Sequence, residues 1–220
     1  MYFKILFFVI LQLLFAWQIS DIKPTISNME DAPSIVTIKA YSMGDEQFYF
    51  RLMGLQIQNS GDSFGRWTPL KNYDYKKLTK WFKMLDMIDN KSNYIPNMAA
   101  YYFSNTKNPN QLMYIIDYLE QFADRDPKNN WWWYYQATFI ANHLYKNNDL
   151  AIKLATKLKE NSGINAPLWT KQLLPIILAK HDKMDEANYI MGKILKEYEE
   201  NGNIGEREIE YMKWFIRREK

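Results

Sequence analysis

Residues 111–158 read QLMYIIDYLE QFADRDPKNN WWWYYQATFI ANHLYKNNDL AIKLATKL, and this stretch decides the fold. Leu112, Ile115, Ile116, Leu119 and Phe122 recur at three- and four-residue intervals, the signature of one buried face of an amphipathic helix. Asp126-Pro127 closes that helix, because proline pushes the residue before it out of helical backbone. Trp133, Ala137, Ile140, Ala141 and Leu144 give an answering stripe, and Leu150, Ala151, Leu154, Ala155 and Leu158 give a third. Linkers as short as Lys146-Asn147-Asn148 force neighbouring helices antiparallel. No helix pair buries its stripe alone, so the pairs must stack.

The same pattern extends both ways. Upstream, Leu78, Trp81, Phe82, Leu85 and Ile88 mark one helix, and Ile95, Met98, Ala99, Tyr102 and Phe103 mark its partner. Downstream, Leu168, Trp169, Leu173 and Ile176 mark a helix, Ala187, Ile190, Met191 and Leu195 the next, and Ile209, Met212 and Phe215 the last. First helices begin near Asp74, Asn110, Asp149 and Met184, roughly 35 to 39 residues apart, a spacing typical of paired-helix solenoids. Nearer the N-terminus, a short helix from Ser34 to Tyr41 precedes a break at Ser42-Met43-Gly44-Asp45. A second helix carries Phe48, Leu52, Met53 and Leu55 at helical spacing. A loop with Gly61, Gly65 and Pro69 follows, and Arg51 and Arg66 are expected to pair with Asp45 or Asp62 and pin it. Strand-like alternation runs over no useful length.

Composition agrees. Gly and Pro are scarce at 8 each in 220 residues, and aromatics reach 16%. Many long side chains and few breakers favour helices over a turn-rich β fold. Net charge is +3, with no concentrated basic face of the kind a nucleic-acid binder needs. Arg217, Arg218 and Lys220 read as a last helical turn complementing the helix dipole. The chain has no cysteine, which excludes disulfides, thiolate metal sites, cysteine nucleophiles and a lipidated N-terminal cysteine.

The N-terminus is a different kind of sequence. Ile5 to Trp17 are apolar except for Gln12, after a basic start ending at Lys4. The run lacks a polar face, so a core helix is disfavoured, and its small-x-small cleavage candidates are poor. Residues 1–20 are therefore expected to be a signal anchor or signal peptide. Residues 21–33 then form a tether, 34–72 a helical cap and loop, and 73–220 the helical repeats. Lys4 before the run and the acidic residues after it predict a body outside the cytoplasm, in the periplasm of an inner-membrane-anchored protein.

Several residues carry a family resemblance. Pro127 after Asp126 matches an inter-repeat proline, Trp133 stands where a repeat's opening tryptophan belongs, and Ala137, Ala151, Ala155 and Ala187 occupy small-residue positions. From about Asp74 to Tyr198 the chain thus resembles tetratricopeptide repeats. The resemblance implies an all-α fold of antiparallel helix pairs stacked as a short right-handed solenoid behind an N-terminal hydrophobic helix. With Ser42-Met43-Gly44 as a helix break, the layout is also similar to bacterial membrane-anchored repeat proteins of undetermined function. That implies a non-enzymatic scaffold binding a protein or peptide, with no nucleic acid and no cofactor.

Candidate chemistry is sparse. His143 and His181 lie in different helices without a carboxylate at ligand spacing, and no glycine-rich phosphate loop precedes a Lys-Ser/Thr pair. Glu160-Asn161-Ser162 sits at a helix end, where a superhelical lytic transglycosylase carries its acid, but the expected Glu-Ser pairing is absent. Trp131-Trp132-Trp133 stands out. Consecutive helical residues are about 100° apart, so one stripe cannot hold all three. Trp133 fits the core. Trp131 and Trp132, with Tyr134, Tyr135 and Tyr101, are the candidate partner-binding patch, since Trp and Tyr dominate interface hot spots. The packing alternative is a contact with the neighbouring repeat, and a cell-wall glycan platform would use the same rings.

Overall fold

The computed structural model describes residues 2–19, 29–63, 66–163, 166–201 and 205–218. Most of the expected tether (residues 21–28), Phe64-Gly65 of the loop, and Lys220 lie outside them. Among the described residues the chain is all-α apart from one two-residue ladder. The helices are α1 (Tyr2–Ile19), α2 (Ile35–Tyr41), α3 (Glu46–Gln58), α4 (Tyr75–Ile88), α5 (Tyr94–Tyr101), α6 (Pro109–Ala123), α7 (Trp131–Phe139), α8 (Asn148–Asn161), α9 (Trp169–Lys180), α10 (Met184–Asn201) and α11 (Glu206–Arg217).

Three of the helices, α4, α6 and α8, start where a side chain satisfies one of the orphan N–H groups. Asp74 accepts from Lys77 N, Asn108 from Asn110 N, and Asn147 from Leu150 N. Lys146 (φ 57°) and Asp182 (φ 61°) take left-handed backbone at the tight corners before α8 and α10. From α6 onward each helix packs chiefly on its neighbours in the chain, and α4 packs chiefly on α6, an arrangement consistent with a solenoid. Ion pairs from Glu120 and Asp124 to Lys153 and Lys157 place α6 alongside α8 in parallel, which requires α7 to run back between them.

The core follows the expected stripes closely in the middle of the chain. Leu78, Phe82, Leu85, Ile115, Ile116, Leu119, Phe122, Ala137, Ala151, Leu154, Ala155 and Leu158 are all buried. Tyr102, expected on a buried stripe, is exposed, and three further expectations are corrected. Leu144 is exposed, because the end of α7 widens into a π-turn, Ile140–Leu144, closed by Tyr145 N donating to Ile140 O. The extra residue rotates Leu144 off the stripe. In α9, Leu174, Ile177 and Leu178 are buried while Trp169 and Ile176 reach the surface. That helix is apolar almost all round, so its period does not fix which face turns inward.

The third correction concerns α3. Tyr49, Phe50, Gly54 and Ile57 face the body, and Phe48, Leu52 and Leu55 face outward. Gly54 explains the choice of face. A Cβ there would stand 2.5 Å from Tyr94 Cε1, so only glycine lets α3 seat against the Tyr94 ring of α5. The loop after α3 is pinned by its backbone, and the side chain of Arg66 lies outside the described residues. Asp62 and Ser63 pair with Trp67 and Arg66, and Thr68 N donates to Gly61 O at 2.7 Å. Asp45 caps α3 through Phe48 N, and among the described residues Arg51 makes no ion pair.

No described helix is long and apolar enough to cross a membrane, contrary to the expected anchor. α1 is 18 residues long, about 27 Å at the usual rise and short of a hydrocarbon core of about 30 Å. Its described side chains are apolar except for Lys4, Gln12 and Gln18, and all of them are exposed. Met29 is buried against the body, Trp81 Nε1 donates to Glu30 O, and Asp31 pairs with Lys77, so the chain is fixed to α4 from there on.

Candidate functional site

The helices sort into two layers, first helices α4, α6, α8 and α10, and second helices α5, α7 and α9. All five residues of the predicted patch come from the second layer. Trp133, at 4% exposure, is core, with its ring edge-on to Phe122 and its Nε1 donating to Asn93 Oδ1. Trp131, Trp132 and Tyr135 are half-buried and touch one another. Tyr101, on α5, is 52% exposed.

Tyr134 does not belong to this surface. It is buried, and its hydroxyl donates to Asp124 Oδ1 at 2.5 Å. Burial, then the hydrogen bond to Asp124, raises its pKa far above the usual phenol range. Successive side chains on a helix diverge by about 100°, which carries Tyr134 inward while Trp132 and Tyr135 point outward.

The structure adds a residue that periodicity assigned to the core. Trp169 opens α9 and reaches back to α7. Its ring centroid lies 5.6 Å from Trp131, 6.4 Å from Trp132 and 4.8 Å from Tyr135, all close to edge-on. Edge-to-face pairs at these distances hold rings beyond the area they bury. The ridge continues along α7, where Tyr135 tilts against Phe139 and Phe139 against His143 at 4.7 Å. At its other end Tyr101 Oη accepts from both Trp132 Nε1 (3.1 Å) and Gln136 Nε2 (2.8 Å), tying α5 to α7. The two tryptophans therefore do pack between repeats while leaving ring area open.

One signal could have exposed this ridge. Residues 94–106 and 131–145 contain no Asp, Glu, Lys or Arg, although both segments carry exposed side chains. A surface helix without charge is unusual, since the solvent face of an amphipathic helix is ordinarily charged or polar. Trp169, Phe139 and Ile176 extend the uncharged strip.

The first layer is charged by contrast. Lys157 contacts Glu120 at 2.8 Å and Asp124 at 3.0 Å, and Lys153 contacts Glu120 at 3.1 Å. Burial pushes the Asp124 carboxyl up, but hydrogen bonds from Tyr134 and Lys157 outweigh it and hold the group below its usual range. Deeper, Asp86 of α4 has no exposed side-chain surface and meets Arg125 Nη2 at 2.9 Å and the Tyr118 hydroxyl at 3.1 Å. Burial pushes its pKa up to about 6, against the pull of Arg125 and Tyr118.

The histidines meet through an amide. Asn142 lies 3.2 Å from Nε2 of both His143 and His181, so its NH2 donates to one and its carbonyl accepts from the other. Among the described residues no group of three His, Asp or Glu side chains is placed to hold a metal ion. Glu160 is exposed at the end of α8. No family model, no curated protein and no solved structure matches this chain.

Proposed function

We propose that this chain is a non-enzymatic scaffold, held at a membrane by α1, that binds a protein or peptide partner on the second-layer aromatic ridge. The fold would then be a short right-handed tetratricopeptide-like solenoid. The observation that carries the reading is the uncharged strip of Trp131, Trp132, Tyr135 and Trp169 across two repeats, with Tyr101 at its edge. Half-open indole and phenol rings held by edge contacts present apolar area at little entropic cost, which is how hot spots work. Tyr101 Oη already accepts two hydrogen bonds, which leaves its O–H as a donor toward a partner. Membrane attachment is supported by the exposed apolar surface of α1, and the charge around it favours a body on the periplasmic side.

A photocrosslinking residue in place of Tyr135 in intact cells tests the ridge. A discrete protein adduct that disappears with Trp132→Ala or Trp169→Ala, while helical circular dichroism is retained, is the expected result. Adducts to cell-wall glycan in place of protein would replace the partner class. An adduct unchanged by both substitutions would remove the ridge as the site. Fractionation tests attachment separately: the full chain should sediment with membranes in high salt, and deleting residues 1–20 should release it folded.

A further inference from the structure

α3 carries an apolar stripe that the body does not cover. Phe48, Leu52 and Leu55 lie at i, i+4 and i+7 on one side of the helix, at 63%, 45% and 54% exposure. At the start of α3, the turn from α2 holds Met43 at φ 50° with 92% exposure, followed by Gly44 at φ 93°. A non-glycine residue in left-handed backbone is disfavoured, because its Cβ crowds the following carbonyl. Here that conformation holds an unbranched apolar side chain clear of the protein.

The occupant follows from where this face sits on the chain. α1 has exposed apolar side chains on every side, so it needs an apolar solvent. The body is anchored to its own end of the tether, because Met29 is buried and Trp81 holds Glu30. Eight residues lie between Ser20 and Met29, a reach of about 30 Å at full extension. Wherever α1 is embedded, the cap formed by α2 and α3, which begins at Ile35 just after that anchored point, stays within reach of that surface. Arg51, one residue before Leu52, borders the stripe and can reach lipid phosphates while its stem lies along the apolar edge.

We infer that the outer face of α3, with Met43 at its leading end, rests in the surface of the same bilayer that holds α1, making the cap a second, peripheral membrane contact. The inference rests on the membrane reading of α1 given above. Its consequence is orientational: two contacts fix how the repeats stand relative to the membrane, which attachment through α1 alone would not.

The cysteine-free sequence makes the test clean. Single variants Leu13→Cys, Met43→Cys, Phe48→Cys and Tyr189→Cys of the full chain are labelled with an environment-sensitive fluorophore and reconstituted into phosphatidylcholine–phosphatidylglycerol vesicles. Tyr189, exposed on α10, reports the far end of the body. The expected result is a blue shift and quenching by spin-labelled lipid at positions 13, 43 and 48, and neither at 189. Quenching at 13 but water-like emission at 43 and 48 overturns this inference and leaves the tether intact. Water-like emission at 13 as well overturns both. Shielding at 43 and 48 that lipid quenchers do not touch, and that grows with protein concentration, would mean that a second copy covers the face, and likewise overturns it.

Discussion

The two helix layers of the repeat region solve one packing problem with opposite chemistry. In the first layer, neighbouring helices are bridged by charge: Lys153 and Lys157 of α8 reach Glu120 and Asp124 at and just beyond the end of α6. In the second layer, α5, α7 and α9 are bridged by rings and neutral hydrogen bonds, through Tyr101, Trp132 and Trp169. Ion pairs at a wet surface add little and weaken with salt. Ring contacts do not depend on salt, and they leave apolar area facing outward. The difference therefore separates a solvent-facing side from a side suited to a partner, and the variants below pull the two apart.

The largest expected effect is in the core beneath the ridge. Trp133→Ala removes an indole at 4% exposure that touches Phe122 and satisfies Asn93. It should destabilise the chain by about 3–5 kcal/mol, as for other buried aromatics. Urea denaturation would measure this. A loss under about 1 kcal/mol would mean that the second layer is not anchored through Trp133.

Next is the deepest charge of the first layer. Arg125→Ala leaves Asp86 buried without its cation, and since Arg125 is itself 37% exposed, the cost at neutral pH should be about 2 kcal/mol, below that of a fully buried pair. The pH dependence has a definite sign. The folded pKa of Asp86, about 6, lies above its ordinary 3.8, so the folded state binds more protons between those values. Stability contributed by protonated Asp86 is present at low pH and is lost as pH rises through that window. The Arg125→Ala deficit should accordingly be small near pH 4 and full above pH 7. A deficit independent of pH would show that Arg125 acts through its packing on Phe122, 5.0 Å away, rather than through its charge.

How much of this was legible depended on how sharply each helix divides its faces. α6 and α8 have charged residues opposite their apolar stripes, and there periodicity named the buried residues, from Leu112 to Leu158. α9, with Leu173, Leu174, Ile176, Ile177 and Leu178 nearly consecutive, has no such contrast, so Trp169 was assigned inward when it belongs to the ridge. α3 failed for another reason. Its more regular stripe, Phe48-Leu52-Leu55, faces outward, and the deciding residue was Gly54, whose significance appears only once Tyr94 lies against it. In the candidate site, three adjacent tryptophans announced that one must leave the core, but only the position of α9 shows what the others meet.

Salt sharpens the comparison at smaller scale. Lys157→Met should cost about 1 kcal/mol in dilute buffer and less in 1 M salt, because it removes a partly exposed cation shared by Glu120 and Asp124. Trp132→Ala should cost about 1–2 kcal/mol, since the ring is half-buried against Trp169 and Tyr135, and that cost should not fall with salt. Denaturation curves at two ionic strengths separate them. Equal salt sensitivity in the two variants would erase the distinction between the layers.

The smallest effect is a titration at the end of the ridge. Burial against its surroundings, and secondarily the charge of Lys180, lowers the pKa of His143 below its ordinary 6.5. Its ring lies against Phe139, and the amide of Asn142 joins it to His181. The folded state then binds fewer protons than the unfolded one just below pH 6.5, so the neutral ring's contribution is complete above that value and is lost as pH falls through the folded pKa. Chemical-shift titration of the His143 ring protons should give a midpoint below 6.5. Phe139→Ala should raise that midpoint further than Lys180→Ala does, because burial is the larger cause. If Lys180→Ala alone restored the ordinary value, charge would govern this end of the ridge. Because α5 and α7 carry no Asp, Glu, Lys or Arg, His143 is the group by which α7 gains charge in acid. Partner capture on the ridge should accordingly stay level from pH 7 to 9 and change at lower pH, where this end of the ridge takes up protons.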